Sequence, residues 1–322
     1  SNNLYDVNFT SSDTNLFNFW YANDTTTGAN KSLGVLGTQF NISNITWGNG
    51  KHNVTIYAND TFGNVNQTRI SFTIDTVNPD LAIAIPSVNN TNTSNTAQNV
   101  NFTFSDTTGI DSVWYNNDTT SVANKSLGSA GTFFNITNIT WSEGKHNVAI
   151  YVNDSAGNLN FTTVSFTIDT VQPTITIDFP SNLTNTSDNL IDVNFTASDS
   201  GSGLFNFWYN NDSFGVAENK SLGVLGTQFN ITNITWSDAK HNVTIWANDS
   251  AGNYNFASVT FMIDSILPAI EIQFPTVNNT NSSDILMDVN FTSSDTNLFN
   301  FWYANDTTTG ANKSLGVLGT QF

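Results

Sequence analysis

The sequence predicts an all-β protein, a tandem array of β-sandwich domains of about 94 residues, and internal repetition is the first reason. Trp20, Trp114, Trp208 and Trp302 follow one another at a spacing of 94. Trp47 and Trp141 keep that spacing, and Trp236 follows after 95. His52, His146 and His241 share the register, as do Asp75, Asp169 and Asp264, and Pro79, Pro173 and Pro268. A longer period lies on top, since residues 6–40 recur unchanged at 288–322, three units later. The second reason is two-residue alternation between Gly-, Asn- and Asp-rich turns, with no helical period.

One unit shows the pattern. LAIAI (81–85) reads as an opening strand that Pro86 and SVNNTNTSN break. VNFTFS (100–105) alternates, DTTG turns the chain, and IDSVWYN (110–116) follows. After a polar loop and NKSLG come TFFNI (132–136), the SEGK turn and HNVAIYVN (146–153). DSAGN makes a tight turn into TTVSFTID (162–169), giving about seven strands. Phe102, Val148, Ile150, Phe166 and Ile168 are expected in the core, with Phe195, Val243, Ile245 and Phe261 as counterparts. The expected domains are 1–75 without its first strand, 76–169, 170–264, and 265–322 as the N-terminal part of a fourth. Their linkers are short, as with Thr170–Pro173, so a rod-like array is expected. Neither end matches a domain boundary, so the segment reads as a window on a longer repetitive chain.

Composition excludes several function classes. The net charge is −18 with eight Lys plus Arg, too few cations for nucleic acid or an anionic membrane surface. Aromatic residues reach 13%, which argues against disorder. There is no cysteine, and no run is long enough to span a membrane.

The hairpin YVNDSAGNLNFTTVSFTIDT (151–170) followed by VQPTITIDFP (171–180) resembles the tandem immunoglobulin-like repeats of prokaryotic, most of all archaeal, cell-surface and filament glycoproteins. Every unit carries YAND, YVND or WAND and an IDT or IDS junction before proline. The resemblance implies Ig-like or fibronectin-III-like sandwiches and an extracellular, cell-surface setting.

Asn-x-Ser/Thr occurs 31 times, more than twice what random placement of 52 Asn would give. N-linked glycans are therefore expected on the chain. Candidate acceptors are Asn8, Asn23, Asn41, Asn44, Asn53, Asn101, Asn117, Asn135, Asn138, Asn194, Asn211, Asn230, Asn233, Asn242, Asn290 and Asn305. The NDT and NDS triplets at Asn23, Asn117, Asn211 and Asn305 are expected in loops.

Other recurring residues carry weaker chemistry. The histidines are one per domain, too far apart to share a metal or form a triad. Asp60, Asp154 and Asp249 of ND-x-x-GN could ligate calcium, but such residues more often close turns by bonding to their own backbone. The junction acids Asp75, Asp169 and Asp264, with Asp80, Asp178 and Glu271, could clamp an interdomain calcium ion. Trp20/Tyr57, Trp114/Tyr151 and Trp208/Trp246 are expected as outward pairs. They would serve as glycan platforms or domain contacts, or as core if one strand is inverted. Lys51, Lys145 and Lys240 recur without a matching acid for an isopeptide cross-link. No catalytic constellation stands out, so an enzyme is not expected. The expected function is the structural repeat region of a glycosylated filament, stalk or surface layer, whose partners are copies of itself. The alternative is a multivalent adhesin gripping surface glycans through its aromatic faces.

Overall fold

A computed structural model describes residues 5–24, 30–34, 39–118, 124–129, 131–212, 219–223, 226, 228–305 and 312–316. The first sandwich contains β1 (Val7–Thr10), β2 (Leu16–Asn23), β3 (Lys31–Gly34), β4 (Gln39–Ile42), β5 (Gly50–Asp60) and β6 (Val65–Ile74). The second runs through β7 (Asp80–Ile85), β8 (Thr91–Thr93), β9 (Val100–Ser105) and β10 (Ile110–Asn117). It continues with β11 (Lys125–Gly128), β12 (Phe133–Ile136), β13 (Gly144–Asp154) and β14 (Leu159–Ile168). The third repeats this order as β15 (Thr174–Phe179), β16 (Thr184–Thr186), β17 (Val193–Ser198) and β18 (Leu204–Asn211). Its remaining strands are β19 (Lys220–Gly223), β20 (Gln228–Ile231), β21 (Ala239–Asp249) and β22 (Tyr254–Ile263). Beyond it lie β23 (Ala269–Phe274), β24 (Asn290–Ser294), β25 (Phe301–Tyr303) and β26 (Lys313–Gly316), paired as two hairpins.

Each complete sandwich has one three-stranded and one five-stranded sheet. In the second these run β12-β9-β7 and β11-β10-β13-β14-β8, and the third has the same order. The first has β1-β4 and β3-β2-β5-β6. A complete sandwich thus has eight strands where about seven were expected. The addition is β8, inside the segment read as a break after Pro86. Its Thr-Asn-Thr sequence has no apolar alternation, and pairing alone makes it a strand. It runs parallel to β14, Phe166 opposite Thr91. The Asn90 N–H donates to the Ser165 carbonyl at 2.8 Å, and the Ser165 N–H donates to Asn89 Oδ1 at 2.8 Å.

The expected core faces are buried. Phe102, Val148, Ile150, Phe166, Val243 and Ile245 have no measurable exposure, and Ile168, Phe195 and Phe261 reach only 1%. Trp47, Trp141 and Trp236, read from the sequence only as repeat markers, join them inside. An indole can be buried only if its N–H finds an acceptor. The Trp141 Nε1–H donates to the Gln98 carbonyl at 2.8 Å, and Trp47 and Trp236 do the same to Tyr5 and Ile191. Phe166 meets the Trp141 ring edge-on, with centroids 5.0 Å apart.

The chain divides into two compact units. One comprises residues 1–172, 199–204 and 248–253; the other, 173–198, 205–247 and 254–322. The first thus holds two sandwiches and two loops that follow β17 and β21.

Phe166→Ala should lower unfolding free energy by about 3–5 kcal/mol, through lost burial and a cavity under Trp141. Phe161→Ala, at a position 62% exposed, should cost well under that. Urea melts of the two variants check the contrast.

Candidate functional site: linker carboxylates and outer aromatic pairs

The first site follows from the residue that ends each sandwich. Asp75 is 4% exposed and Asp169 is fully buried. A buried carboxylate must be hydrogen-bonded to be tolerated. At the first linker the Val77 N–H donates to Asp75 Oδ1 at 2.9 Å, and the Thr108 hydroxyl donates to Asp75 Oδ2 at 2.5 Å. The Asp75 carbonyl accepts from Asn158 Nδ2 at 3.2 Å. Thr108 belongs to the loop between β9 and β10, and Asn158 to the turn between β13 and β14. The last residue of the first sandwich is therefore held by two loops of the second.

Those loops bring further acids. One carboxylate oxygen from each of Asp75, Asp106 and Asp154 lies within 4.8 Å of the other two, and Asp169, Asp199 and Asp249 repeat the group. All six belong to the first compact unit. Asp154, 1% exposed, closes its own turn, as expected of ND-x-x-GN. Its Oδ1 accepts the Ala156 and Asn158 N–H groups at 2.8 Å, and its Oδ2 accepts Asn158 Nδ2 at 2.7 Å. Asp60 and Asp249 make the same turn. In Asp60 the Asn64 side-chain hydrogen bond leads the effects that hold the carboxyl below its ordinary value.

The second copy is built slightly differently. Its loop from Asp199 to Gly203 is one residue longer than Asp106–Gly109. The Ser202 N–H donates to Asp169 Oδ2 at 2.6 Å, and Asn253 Nδ2 donates to the Asp169 carbonyl at 2.8 Å. Gly201 makes this approach possible, since a Cβ there would stand 2.3 Å from the Asp169 carboxyl carbon. Burial pushes the Asp169 carboxyl up, but hydrogen bonds from Ser202 and the Val171 N–H outweigh it and hold the group below its ordinary value. Asp199 Oδ2 accepts the Gly201 and Gly203 N–H groups, while its buried Oδ1 has no hydrogen-bond partner among the described residues. At the third linker Asn297 Nδ2 donates to Asp264 Oδ2 at 2.8 Å.

All three donors of each triad are carboxylates, a hard oxygen set that suits calcium or magnesium rather than a softer metal. The sequence paired the junction acids with Asp80, Asp178 and Glu271. The structure instead joins Asp75 and Asp169 to Asp154 and Asp249, and to Asp106 and Asp199, which sequence reasoning missed. Their spacing of 93 residues was the available signal.

The histidines serve the sandwich. His146 is buried, with Nδ1 3.1 Å from an Asp118 carboxylate oxygen and Nε2 2.8 Å from the Ser142 carbonyl. His52 and His241 repeat this with Asp24 and Asp212. Each imidazole also lies 5.0 Å from the buried tryptophan of its sandwich. Lys51, Lys145 and Lys240 are exposed.

The second site is on the outer face of the larger sheet. Trp20 and Tyr57 sit opposite each other on β2 and β5, with rings 5.4 Å apart and 4° from parallel. Trp114 and Tyr151 repeat this at 5.5 Å and 4°, and Trp208 and Trp246 at 6.4 Å and 5°. The rings are half-buried, outside the core. The strand register read from the sequence is therefore not inverted, and the core tryptophan of each sandwich is the later one.

The candidate acceptors divide by position. Asn8, Asn41, Asn44, Asn135, Asn138, Asn230, Asn233, Asn242, Asn290 and Asn305 are exposed, and Asn53, Asn101 and Asn194 are half-buried. Asn23, Asn117 and Asn211 are 7%, 2% and 1% exposed. They were expected in loops, but each is the last residue of a strand and follows the inward alternation of Tyr21, Tyr115 and Tyr209.

Residues 36–118 match the family model described as bacterial Ig-like domain (group 3), about a quarter of the chain, across the first linker. No curated protein matches. Among solved structures, a tetra-tandem repeat from the extending region of a large adhesion protein is 16% identical, with 99% of this chain and 86% of that one covered and a TM-score of 0.34. Fibronectin(III)-like modules of Clostridium thermocellum CbhA are 16% identical over 57% of this chain and 94% of theirs, with a TM-score of 0.34. A 1.5-MDa bacterial ice-binding adhesin is 14% identical over 81% of this chain and 91% of its own, with a TM-score of 0.33. Identities and TM-scores this low carry no functional inference. Strand order, burial and the family match together make the chain a run of tandem Ig-like β-sandwiches.

Because Asp169 is held below its ordinary value of 3.8, its contribution to stability is complete above that pH. It is lost as pH falls through the lower folded value. Melting temperature measured from pH 6 down to pH 2 should fall at the acid end, and Asp169→Asn should flatten that part of the curve. Asp154→Ala, which strands the buried Asn158 donors, should cost about 2–4 kcal/mol in a urea melt.

Proposed function

We propose that this chain is the repeat region of an extracellular surface protein, a glycosylated shaft that spaces or displays other parts of its assembly. The observation that supports this is recurrence of whole sandwiches, with the linker aspartate held by the corresponding two loops at Asp75 and Asp169. A spacer gains from every added copy, whereas a specific site needs one. The match to a bacterial Ig-like domain model agrees with this reading without naming a partner. Copies of the same chain are the partners it implies.

N-linked glycans belong to the proposal. Transfer from an activated, phosphate-linked glycosyl donor breaks the anomeric C–O bond and forms a C–N bond to Asn Nδ2. The amide loses one proton, and the phosphate group departs. Asn44, Asn138 and Asn233 are among the exposed acceptors, each at a bend with φ of 60–63°. The buried Asn23, Asn117 and Asn211 leave no room for a sugar in the folded protein and are not part of it.

Calcium at the two linker triads is a second component, favoured by the three converging carboxylates and the unpartnered, buried Asp199 Oδ1. An ion there would offset repulsion between like charges and tie the linker to the following loops.

The mass of these 322 residues, secreted from a glycosylating host, should exceed the bare 35.1 kDa by several glycans, with peptides assigning them to exposed acceptors. A mass equal to the polypeptide would end the glycoprotein reading. Calcium at a hundredfold excess over its dissociation constant should stabilise the fold by about 2.7 kcal/mol. Chelation or Asp199→Asn should reverse the rise in melting temperature, and no response to calcium would remove the metal from the account.

A further inference from the structure

The outer aromatic pairs share a strand face with two acceptor asparagines. On β5 the residues His52, Val54 and Ile56 are buried, so Asn53, Thr55 and Tyr57 take the opposite face. Asn53 and Thr55 are the ends of an Asn-Val-Thr triplet, and Tyr57 carries half of the stacked pair. On β21 the order is the same, with Asn242, Thr244 and Trp246 outward and Val243 and Ile245 buried. From acceptor to ring is four residues, about 13 Å along a strand, a gap that a short oligosaccharide lying on the sheet can cross.

The acceptor amides are oriented by a cross-strand bond. The Ser71 hydroxyl on β6 donates to Asn53 Oδ1 at 2.6 Å, and the Thr260 hydroxyl on β22 donates to Asn242 Oδ1 at 3.2 Å. With its oxygen tied toward that neighbour, the Asn53 carboxamide turns Nδ2, the atom that takes a sugar, to the other side, while Asn242 Nδ2 lies 3.4 Å from Thr244 Oγ1 on its own strand. For Asn53 the strand on that side is β2, which carries Trp20 opposite Tyr57. Ala22 is the residue opposite Thr55, so the way from acceptor to ring is not blocked by a large side chain.

We propose that glycans on Asn53 and Asn242 fold back onto the sheet and pack the apolar C–H face of a sugar ring against the Trp20/Tyr57 and Trp208/Trp246 pairs. This rests on the glycoprotein reading above and names the surface on which those sugars lie. Aromatic faces are electron-rich and flat, and a pair held within 5° of parallel presents a stacked, ordered ring edge and face to such C–H groups. Covering them would also remove exposed apolar surface from a chain whose sheets carry few charges. The second sandwich is an internal control. It keeps Trp114 and Tyr151 and the Ser165-to-Asn147 bond, but Ala149 breaks the triplet, so its rings have no sugar on their own strand.

The test uses the full chain secreted from a glycosylating host, as wild type and as Thr55→Ala, Ala149→Thr and Trp20→Leu. Glycopeptide mass spectrometry should find sugar on Asn53 and Asn242, lose it from Asn53 in Thr55→Ala, and gain it on Asn147 in Ala149→Thr. Proton NMR should show ring-current-shifted sugar resonances that return to ordinary positions for the Asn53 glycan in Trp20→Leu, while occupancy stays unchanged. Sugar elsewhere but absent from Asn53 and Asn242 would overturn this proposal and leave the glycoprotein reading standing. Occupied sites with unshifted sugar protons would overturn it too, as would rings covered by a second copy in a concentration-dependent way. A chain with no sugar at any position would refute both readings at once.

Discussion

A buried carboxylate at the end of the first and of the second sandwich is the constraint on which their linkers depend. Asp75 and Asp169 lose most or all of their contact with water. An uncompensated charge there would cost several kcal/mol. The compensation comes from the following sandwich's loops and from the linker's own backbone, so the linker and both loops are ordered together. Pro79 and Pro173 then fix the backbone just before β7 and β15. The spacing between the first two sandwiches is thus set by hydrogen bonds at named atoms, with little left to chain flexibility. The same aspartate carbonyls accept from Asn158 and Asn253, so side chain and main chain of one residue are both engaged.

The sandwiches show a comparable economy. With no cysteine and few charges, each core depends on interleaved apolar faces and one Trp–His–Phe cluster. Trp141 packs on Phe166 and His146, and both the indole and the imidazole find carbonyl acceptors. His146 brings Asp118 to the end of β10, which fixes the point where the chain leaves the sheet. Polarity on the outer faces is carried by Asn, Ser and Thr, whose hydroxyl-to-amide bonds cross between β13 and β14 or β21 and β22. These short polar side chains leave the larger rings of the same faces standing clear.

Much of this was legible in the sequence because it is periodic. Two-residue alternation gave the correct inward face for Phe102, Val148, Ile150 and Phe166, and it placed Trp114 and Tyr151 outward. What alternation could not show was contact between residues far apart in the chain. Asp75 and Asp154 are 79 residues apart, and nothing local in either segment says that they meet. Asp106 looked like an ordinary turn residue after β9. The β8 strand was invisible because its three polar residues have no pattern of their own and are ordered by β14. Asn117 was misplaced for a related reason. A polar residue at a strand end reads as loop, yet backbone pairing with Val148 keeps it in the strand and on the inner side.

The central claim is that the linker aspartates lock each linker to the loops that follow, and native-state hydrogen exchange of individual amides tests it most directly. The Val171 and Ser202 N–H groups both donate to Asp169. The account predicts that they exchange slowly, with protection rising and falling together, and that Asp169→Ala exposes both while the core amides of β13 and β14 stay protected. Exchange of Val171 and Ser202 at the rate of an open chain in the unmodified protein would contradict it.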